Sequence, residues 1–225
     1  MKKLILILLF TGSLFAQSFT VEKLSGDVKY QNGDSENWTA INEGTKVNDD
    51  AIIVTADNSF VELEGNNVWF KLNESSAVSV SSIKKMNIDD LLLALAMEDI
   101  INAPKEINKS SDNTAVYGTE AGQENTLLIK SDDFGIKRLN GAVQLAQNDL
   151  KESAVIAARE TYRKYPETKS ISSYRIYFAD ILYEKGLYEE ALEEYSDIQK
   201  LDLTNTQQTD VNLKTESIQK ILLSE

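Results

Sequence analysis

The spacing of apolar residues changes once along this chain, and that change limits the folds open to it. From Ser18 to Ile83 apolar and polar residues alternate in short runs, broken every eight to ten residues by Gly, Asn or Asp. From Phe134 onward the apolar residues recur at the 3.6-residue period of a helix. Period two predicts strands and period 3.6 predicts helices. We therefore predict an α+β multidomain protein, with an N-terminal all-β sandwich or barrel followed by a C-terminal α-helical hairpin array.

The β-rich half carries an ordered set of positions that resembles the FecR-type domain. The matching positions are Gly26, Val28, Trp38, Gly44, Thr55 at the end of NDDAIIVT, Ser59 and the run VELEGNNVWFKLNESSAVSV. The resemblance covers about 65 residues and implies the β module of that family. It does not imply the sigma-factor circuit, because the iron-signalling members have a cytoplasmic segment and a membrane span before this domain. This chain has only an apolar leader there.

The stretch MNIDDLLLALAMEDIINA interrupts the β pattern with helical spacing. Asn87 is expected to cap the helix, Asp89 and Asp90 occupy the first turn where the helix dipole favours negative charge, and Pro104 ends it. We place this inserted helix at 87–102 and a polar loop at 104–113. We expect the apolar side of the helix to pack onto the β domain. The alternative is an amphipathic helix that binds a partner.

The stretch TAVYGTEAG, residues 114–122, contains two glycines but lacks the features of a phosphate-binding loop. It has no lysine, and the run that follows it has strand character rather than helical spacing. The segment at 116–119, VYGT, resembles the VRGT segment that often follows the main β block in proteins with FecR-like domains, with Tyr117 in place of the arginine. We therefore extend the FecR-like β domain over 17–132.

The helical half contains a repeat that resembles the tetratricopeptide motif. The matching positions, twelve residues apart within each copy and 37 residues apart between copies, are Ala142, Ala154 and Pro166, then Ala179, Ala191 and Leu203. Small residues at such positions allow the two helices of a hairpin to approach closely. The resemblance implies tetratricopeptide-like hairpins over 134–225, and a helix over 213–225 is expected to cap them.

Aromatic residues supply the candidate binding sites. Tyrosine is enriched in binding surfaces, and the candidate partner-binding residues are Tyr174, Tyr177, Tyr183 and Tyr188. The alternative is that most of these tyrosines fill the core of the hairpins. The candidate glycan-stacking residues of the β domain are Trp38 and Trp69.

Composition excludes several classes of site. The chain has no His and no Cys, which rules out Ser-His-Asp and Cys-His nucleophile systems, ordinary zinc sites and disulfides. Its acidic pairs are adjacent in sequence, so on a strand the two carboxylates point to opposite faces and do not form a glycosidase pair. We predict no catalytic, metal-binding or cofactor-binding residue and no enzyme activity. The net charge of −13 argues against nucleic acid as a partner.

The first residues have the order of a secretory signal peptide. Lys2 and Lys3 precede an apolar run that begins at Leu4, and small residues lead to Ala16. We assign 1–16 as a signal peptide, since the apolar run is shorter than the roughly 20 residues that span a bilayer. No cysteine follows for lipid attachment. We expect a periplasmic or otherwise exported protein with no integral membrane span after signal cleavage.

Together these patterns predict a non-enzymatic cell-envelope protein. Its expected function is protein–protein interaction, as a module or scaffold for other envelope proteins. The alternative is binding of a cell-wall glycan or surface polysaccharide through the β domain.

Overall fold

The N-terminal part of the molecule is built from two antiparallel sheets. The computed structural model describes residues 18–33, 35, 37–102, 128–129 and 133–224. Eight strands lie within the described residues between 18 and 79: β1 Ser18–Ser25, β2 Val28–Asn32, β3 Thr39–Ala40, β4 Lys46–Asn48, β5 Ala51–Thr55, β6 Phe60–Gly65, β7 Val68–Leu72 and β8 Ala77–Ser79. They form two four-stranded sheets, β4-β1-β6-β7 and β3-β2-β5-β8, rather than a closed barrel.

Alternation of side chains gives these sheets their shared core. On β6, Val61 and Leu63 are buried while Glu64 is exposed, and β7 buries Phe70 in the same way. Buried residues from both sheets belong to one hydrophobic cluster. The buried faces of the two sheets therefore contribute to a common core.

Two positions of the FecR-like pattern contact each other directly. Gly26 has a φ of +80°, and a Cβ placed on it would lie 2.2 Å from Oγ of Ser59. That hydroxyl accepts a hydrogen bond from the N–H of Asp27 at 2.9 Å. Glycine is required here because a side chain would displace the serine, and the backbone conformation is one that L residues rarely adopt.

Six helices complete the described part: α1 Ile88–Asn102, α2 Phe134–Gln147, α3 Lys151–Lys164, α4 Ser172–Glu184, α5 Tyr188–Ile198 and α6 Asn205–Leu222. Helices α2 and α3, and then α4 and α5, pack as successive pairs, and α6 packs on α5. The alanines at the repeat positions that lie in these helices are all buried: Ala142, Ala154, Ala179 and Ala191. Helix α6 begins eight residues before the predicted capping helix, because Thr204 and Gln207 form a capping box at its start.

Three side-chain amides on α2 join the helices to the sheets. Asn140, Gln144 and Asn148 are spaced four residues apart, so they share one side of the helix. They point at the end of β7 and its connection to β8, which we call the 71–76 segment. The hydrogen bonds are Asn140 Nδ2 to Ser75 O at 2.6 Å, Asn73 N to Gln144 Oε1, Gln144 Nε2 to Ser76 Oγ at 2.6 Å, and both backbone groups of Lys71 to the Asn148 amide at 3.2 Å.

Helix α2 also approaches β8 more closely than a side chain would allow. A Cβ on Gly141 would lie 1.9 Å from the carbonyl oxygen of Ala77. The 71–76 segment also bonds to β5: the buried hydroxyl of Thr55 donates a hydrogen bond to Asn73 O at 2.6 Å and accepts one from Ser76 N at 3.2 Å. The 71–76 segment is therefore held between a strand of the β part and the first helix of the array.

Helix α1 occupies a different place from the one expected. It packs mainly against α3, with Leu91 and Leu95 buried, and not onto the sheets. The expectation that it covers the β domain is therefore wrong: the described 71–76 side of that domain is covered by α2 instead.

Several predicted segments fall wholly or partly outside the described residues. The signal peptide 1–16, the loop 104–113 and the VYGT segment at 116–119 lie outside them. Of the strand-like run near 126–132, Leu128 and Ile129 are described, and they have no regular secondary structure. The backbone of Ile129 pairs with the amide of Asn140, at 3.1 Å for its N–H and 2.9 Å for its carbonyl.

The amide contacts predict a test of how strongly the two parts are joined. Gln144→Ala removes a fully buried amide and leaves Asn73 N–H and Ser76 Oγ without that partner, so we expect the free energy of unfolding to fall by about 2–3 kcal/mol. Gln147→Ala, at an exposed position on the same helix, should change it by less than about 0.5 kcal/mol. Urea denaturation followed by circular dichroism measures both, and equal losses would contradict this role of Gln144.

Candidate functional site

The four candidate tyrosines do not form one surface. Tyr174 is fully buried, and its hydroxyl donates to Oδ1 of Asn140, so it belongs to the core. Tyr183 and Tyr188 are half-buried and contact each other edge to face, with ring centroids 5.7 Å apart. Tyr177 is also half-buried and packs against Phe178 at 5.3 Å. The structure therefore brings only Tyr183 and Tyr188 together.

The two candidate tryptophans are both exposed but differ in their surroundings. Trp38 is 39% exposed, and its ring meets the edge of Phe134 at 5.9 Å, which places it at the junction with α2. Trp69 is 52% exposed on the outer face of β7, directly across from Glu64 on β6. Trp69 thus presents the more open aromatic surface, with a carboxylate beside it.

The largest exposed concentration of apolar side chains lies on α1. We define the α1 outer face as Leu92, Leu93, Ala96, Met97, Ile100 and Ile101, all of which are exposed. Leu93 is 64% exposed, Met97 55% and Ile100 75%, and these three are spaced four and three residues apart. Residues with that spacing lie on one side of a helix, so they form a continuous stripe.

The opposite side of α1 fixes the helix to the array. Leu91 and Leu95 are buried, and the carboxylate of Glu98 forms an ion pair with Arg163 on α3, with 3.0 Å between the carboxylate oxygen and Nε. At the N-terminal end, Asp90 N–H donates to Oδ1 of Asn87 at 2.8 Å, as the sequence predicts for a cap. The helix is thus held along its length, and the α1 outer face is displayed on a supported element.

Negative charge marks the N-terminal end of the α1 outer face. Asp89 and Asp90 are exposed in the first turn, and neither forms an ion pair with a described residue. Lys84 and Lys85 precede the helix and are exposed, but they form no ion pair with Asp89 or Asp90. The surface therefore combines an apolar stripe with two exposed aspartates at the start of the helix, and two exposed lysines precede them in the chain.

A buried charge cluster lies between α3, α4 and α5 beneath this helix. Arg159 reaches Asp99 of α1 at 3.8 Å and Glu194 of α5 at 2.8 Å, and Glu194 also accepts from Arg175 at 2.7 Å. The Arg175 guanidinium lies 5.6 Å from the ring centre of Tyr162. Burial raises the pKa of the Tyr162 hydroxyl above its usual range, so the phenol stays neutral. These opposite charges neutralise one another, so we infer that the cluster stabilises the packing of the helices.

Neither metal ligands nor a spanning helix is found in the part of the chain that the structure describes. No group of three or more carboxylate side chains there is placed to hold a metal ion. None of the described helices has the length and apolar content to cross a bilayer.

Sequence reasoning identified α1 but not the side of it that stays open. The helical spacing in the sequence predicts an apolar stripe of Leu91, Leu92, Leu95, Ala96 and Ile100. That stripe leaves out Leu93, Met97 and Ile101. The sequence does indicate them, because after the first turn apolar residues occur on nearly every side of the helix. A helix of that kind is either buried all round or has more than one partner.

Comparison with known proteins identifies no relative of this chain. No family model, curated protein or solved structure matches this chain.

Proposed function

We propose that this chain is a non-enzymatic, exported cell-envelope protein that acts as a protein–protein interaction module and docks its partner on the α1 outer face. In this proposal the β part is a FecR-like domain and the helical part is a short tetratricopeptide-like array. The contact between Gly26 and Ser59 supports the first assignment. The burial of the repeat alanines supports the second.

The exposure of the α1 outer face is the observation that carries the proposal. Burial of a Leu, Ile or Met side chain stabilises by about 1.5–3 kcal/mol, so five large apolar side chains left in water represent a substantial unrealised gain. Contiguous exposed apolar surface of this kind marks interaction sites in soluble proteins. The anchoring of α1 through Leu91, Leu95 and Glu98 means that a partner meets an already ordered surface.

The helical array holds α1 in place, and its candidate tyrosines are less exposed than the α1 outer face. Tyr174 lies in the core, and Tyr183 and Tyr188 pack against each other. We therefore place the partner on α1 and assign the tyrosines to packing within the helical hairpins.

Site-specific photo-crosslinking in native host cells tests this proposal. A photoreactive amino acid at Met97 should crosslink to one or a few discrete envelope proteins, and adding Leu93→Asp should remove those products. Because Leu93 is 64% exposed, that substitution should lower the free energy of unfolding by only about 1 kcal/mol, from the weaker helix propensity of Asp and repulsion by Asp89, and the chain should stay folded.

The matched control is the same photoreactive amino acid at Leu213, an exposed apolar position on α6 outside the α1 outer face. It should not give these products. The proposal fails if Met97 and Leu213 give the same products, or if the products from Met97 survive Leu93→Asp.

Trp69 favours a second candidate function, the binding of a cell-wall glycan or surface polysaccharide. Sugar rings stack on exposed aromatic faces, and Trp69 is open on the outer face of β7 with Glu64 opposite it. Phe60 lies on the same face of β6 as Glu64, and the ammonium of Lys71 lies 4.5 Å from its ring centre. The face therefore offers both a stacking surface and charged hydrogen-bonding groups.

Co-sedimentation with purified peptidoglycan tests this second candidate. If it is correct, the full chain pellets with the glycan, and Trp69→Ala weakens binding at least tenfold because the stacking surface is lost. Trp38→Ala, which removes a ring already in contact with Phe134, should have a smaller effect. A wild-type chain that stays in the supernatant would count against glycan binding.

A further inference from the structure

Resting on the proposed function, we propose that the partner of the α1 outer face is a basic amphipathic helix of another protein. Its apolar stripe would lie along Leu93, Met97 and Ile100, and its Lys or Arg side chains would face Asp89 and Asp90. The inference comes from the shape of the stripe, the charge at its end and the composition of the possible competitors.

The stripe has the geometry that a partner helix requires. Leu93, Met97 and Ile100 repeat at the i, i+4, i+7 spacing of a helix–helix seam, and Leu92 and Ile101 border it. Ala96 is small and gives room for a side chain of the partner to insert. Helix α1 has 15 residues and is about 22 Å long, which matches a partner helix of about four turns.

The two exposed aspartates at the start of α1 favour a basic partner. Asp89 and Asp90 are exposed, form no ion pair with a described residue and lie at the helix end beside the stripe. The Asp90 carboxylate accepts the N–H of Asn87 at 3.3 Å and has further acceptor capacity, so Lys or Arg on the flank of a docked helix would pair with both aspartates. Such contacts increase association rate and set orientation, and they weaken with salt.

The same charges disfavour a second copy of this chain as the occupant. The chain has a net charge of −13, so two copies repel each other. An antiparallel α1 pair would also place the aspartates of one copy against the C-terminal end of the other helix. That end carries partial negative charge from its carbonyl groups, so the contact is repulsive.

The chain's own connection is also a poor match. Residues 103–127 contain four large apolar residues, Ile107, Val116, Tyr117 and Leu127. Apart from the adjacent pair Val116 and Tyr117, they are separated by nine or more residues and make no helical stripe. The α1 outer face alone has five large apolar side chains. The apolar run that begins at Leu4 belongs to the predicted signal peptide 1–16, which the proposed export removes. The occupant therefore comes from another protein.

Binding of two model peptides to the full chain tests this inference. Both peptides are helices of about 18 residues, long enough to populate the helical form, with an identical Leu/Ala stripe. One has Lys on its polar flank and the other has Glu. Fluorescence anisotropy should give at least tenfold tighter binding for the Lys peptide, and the difference should shrink at high salt.

Charge-swapped variants show whether the expected residues are responsible. Asp89→Lys with Asp90→Lys should reverse the preference between the two peptides. Glu189→Lys with Glu190→Lys makes the same charge change in the first turn of α5 and should leave the preference for Lys in place. Leu93→Asp should weaken both peptides.

Equal binding of the two peptides, or a preference unchanged by the α1 charge swap, would overturn the inference. A dimer of the isolated chain in light scattering that Leu93→Asp dissociates would also overturn it, because a second copy would then occupy the face. If the Met97 crosslinks persist while the peptides are not distinguished, the proposed function stands and only the partner class fails. If the crosslinks are absent too, the proposed function fails with it.

Discussion

The buried amides of α2 are the constraint on which the arrangement of the molecule depends. A buried amide without hydrogen-bond partners is costly, and Asn140 and Gln144 are fully buried. Their partners include the backbone and side chains of the 71–76 segment, so α2 has one satisfactory position against the sheets. Gly141 makes that position possible by letting the helix backbone approach Ala77. The sheets and the helical array are therefore joined through specific polar contacts as well as apolar burial.

This junction determines what α1 can contact. Since α2 occupies the 71–76 side of the sheets and pairs with α3, helix α1 is left to pack on α3. A single neighbouring helix buries only Leu91, Leu95 and the side chain of Glu98. The remaining large apolar side chains of the helix are exposed. The proposed docking surface thus follows from two facts, the apolar composition of α1 and the use of α2 to close the β part.

The sequence was informative where local patterns decide the structure. Alternation predicted the strands, Asn66 and Asn67 form the hairpin turn between β6 and β7 with positive φ, and helical spacing predicted α1 nearly to the residue. The packing of α1 was not predictable, because an apolar stripe does not specify which surface it meets. The role of Gln144 was missed for a similar reason. A polar residue on a helix is expected to face solvent until its partners are known, and those of Gln144 are the N–H of Asn73 and the hydroxyl of Ser76, 71 and 68 residues away in the chain.

Carbene footprinting of α1 tests the central claim, that its outer face is open in the isolated chain and covered by a partner in the cell. In the purified protein, we predict that Leu93, Met97, Ile100 and Ile101 are labelled as strongly as exposed Leu213. In native host cells, labelling of these four residues should fall several-fold while that of Leu213 is unchanged. Labelling of the four residues as weak as that of buried Leu139 in the purified chain, or equal labelling in both settings, would contradict the account.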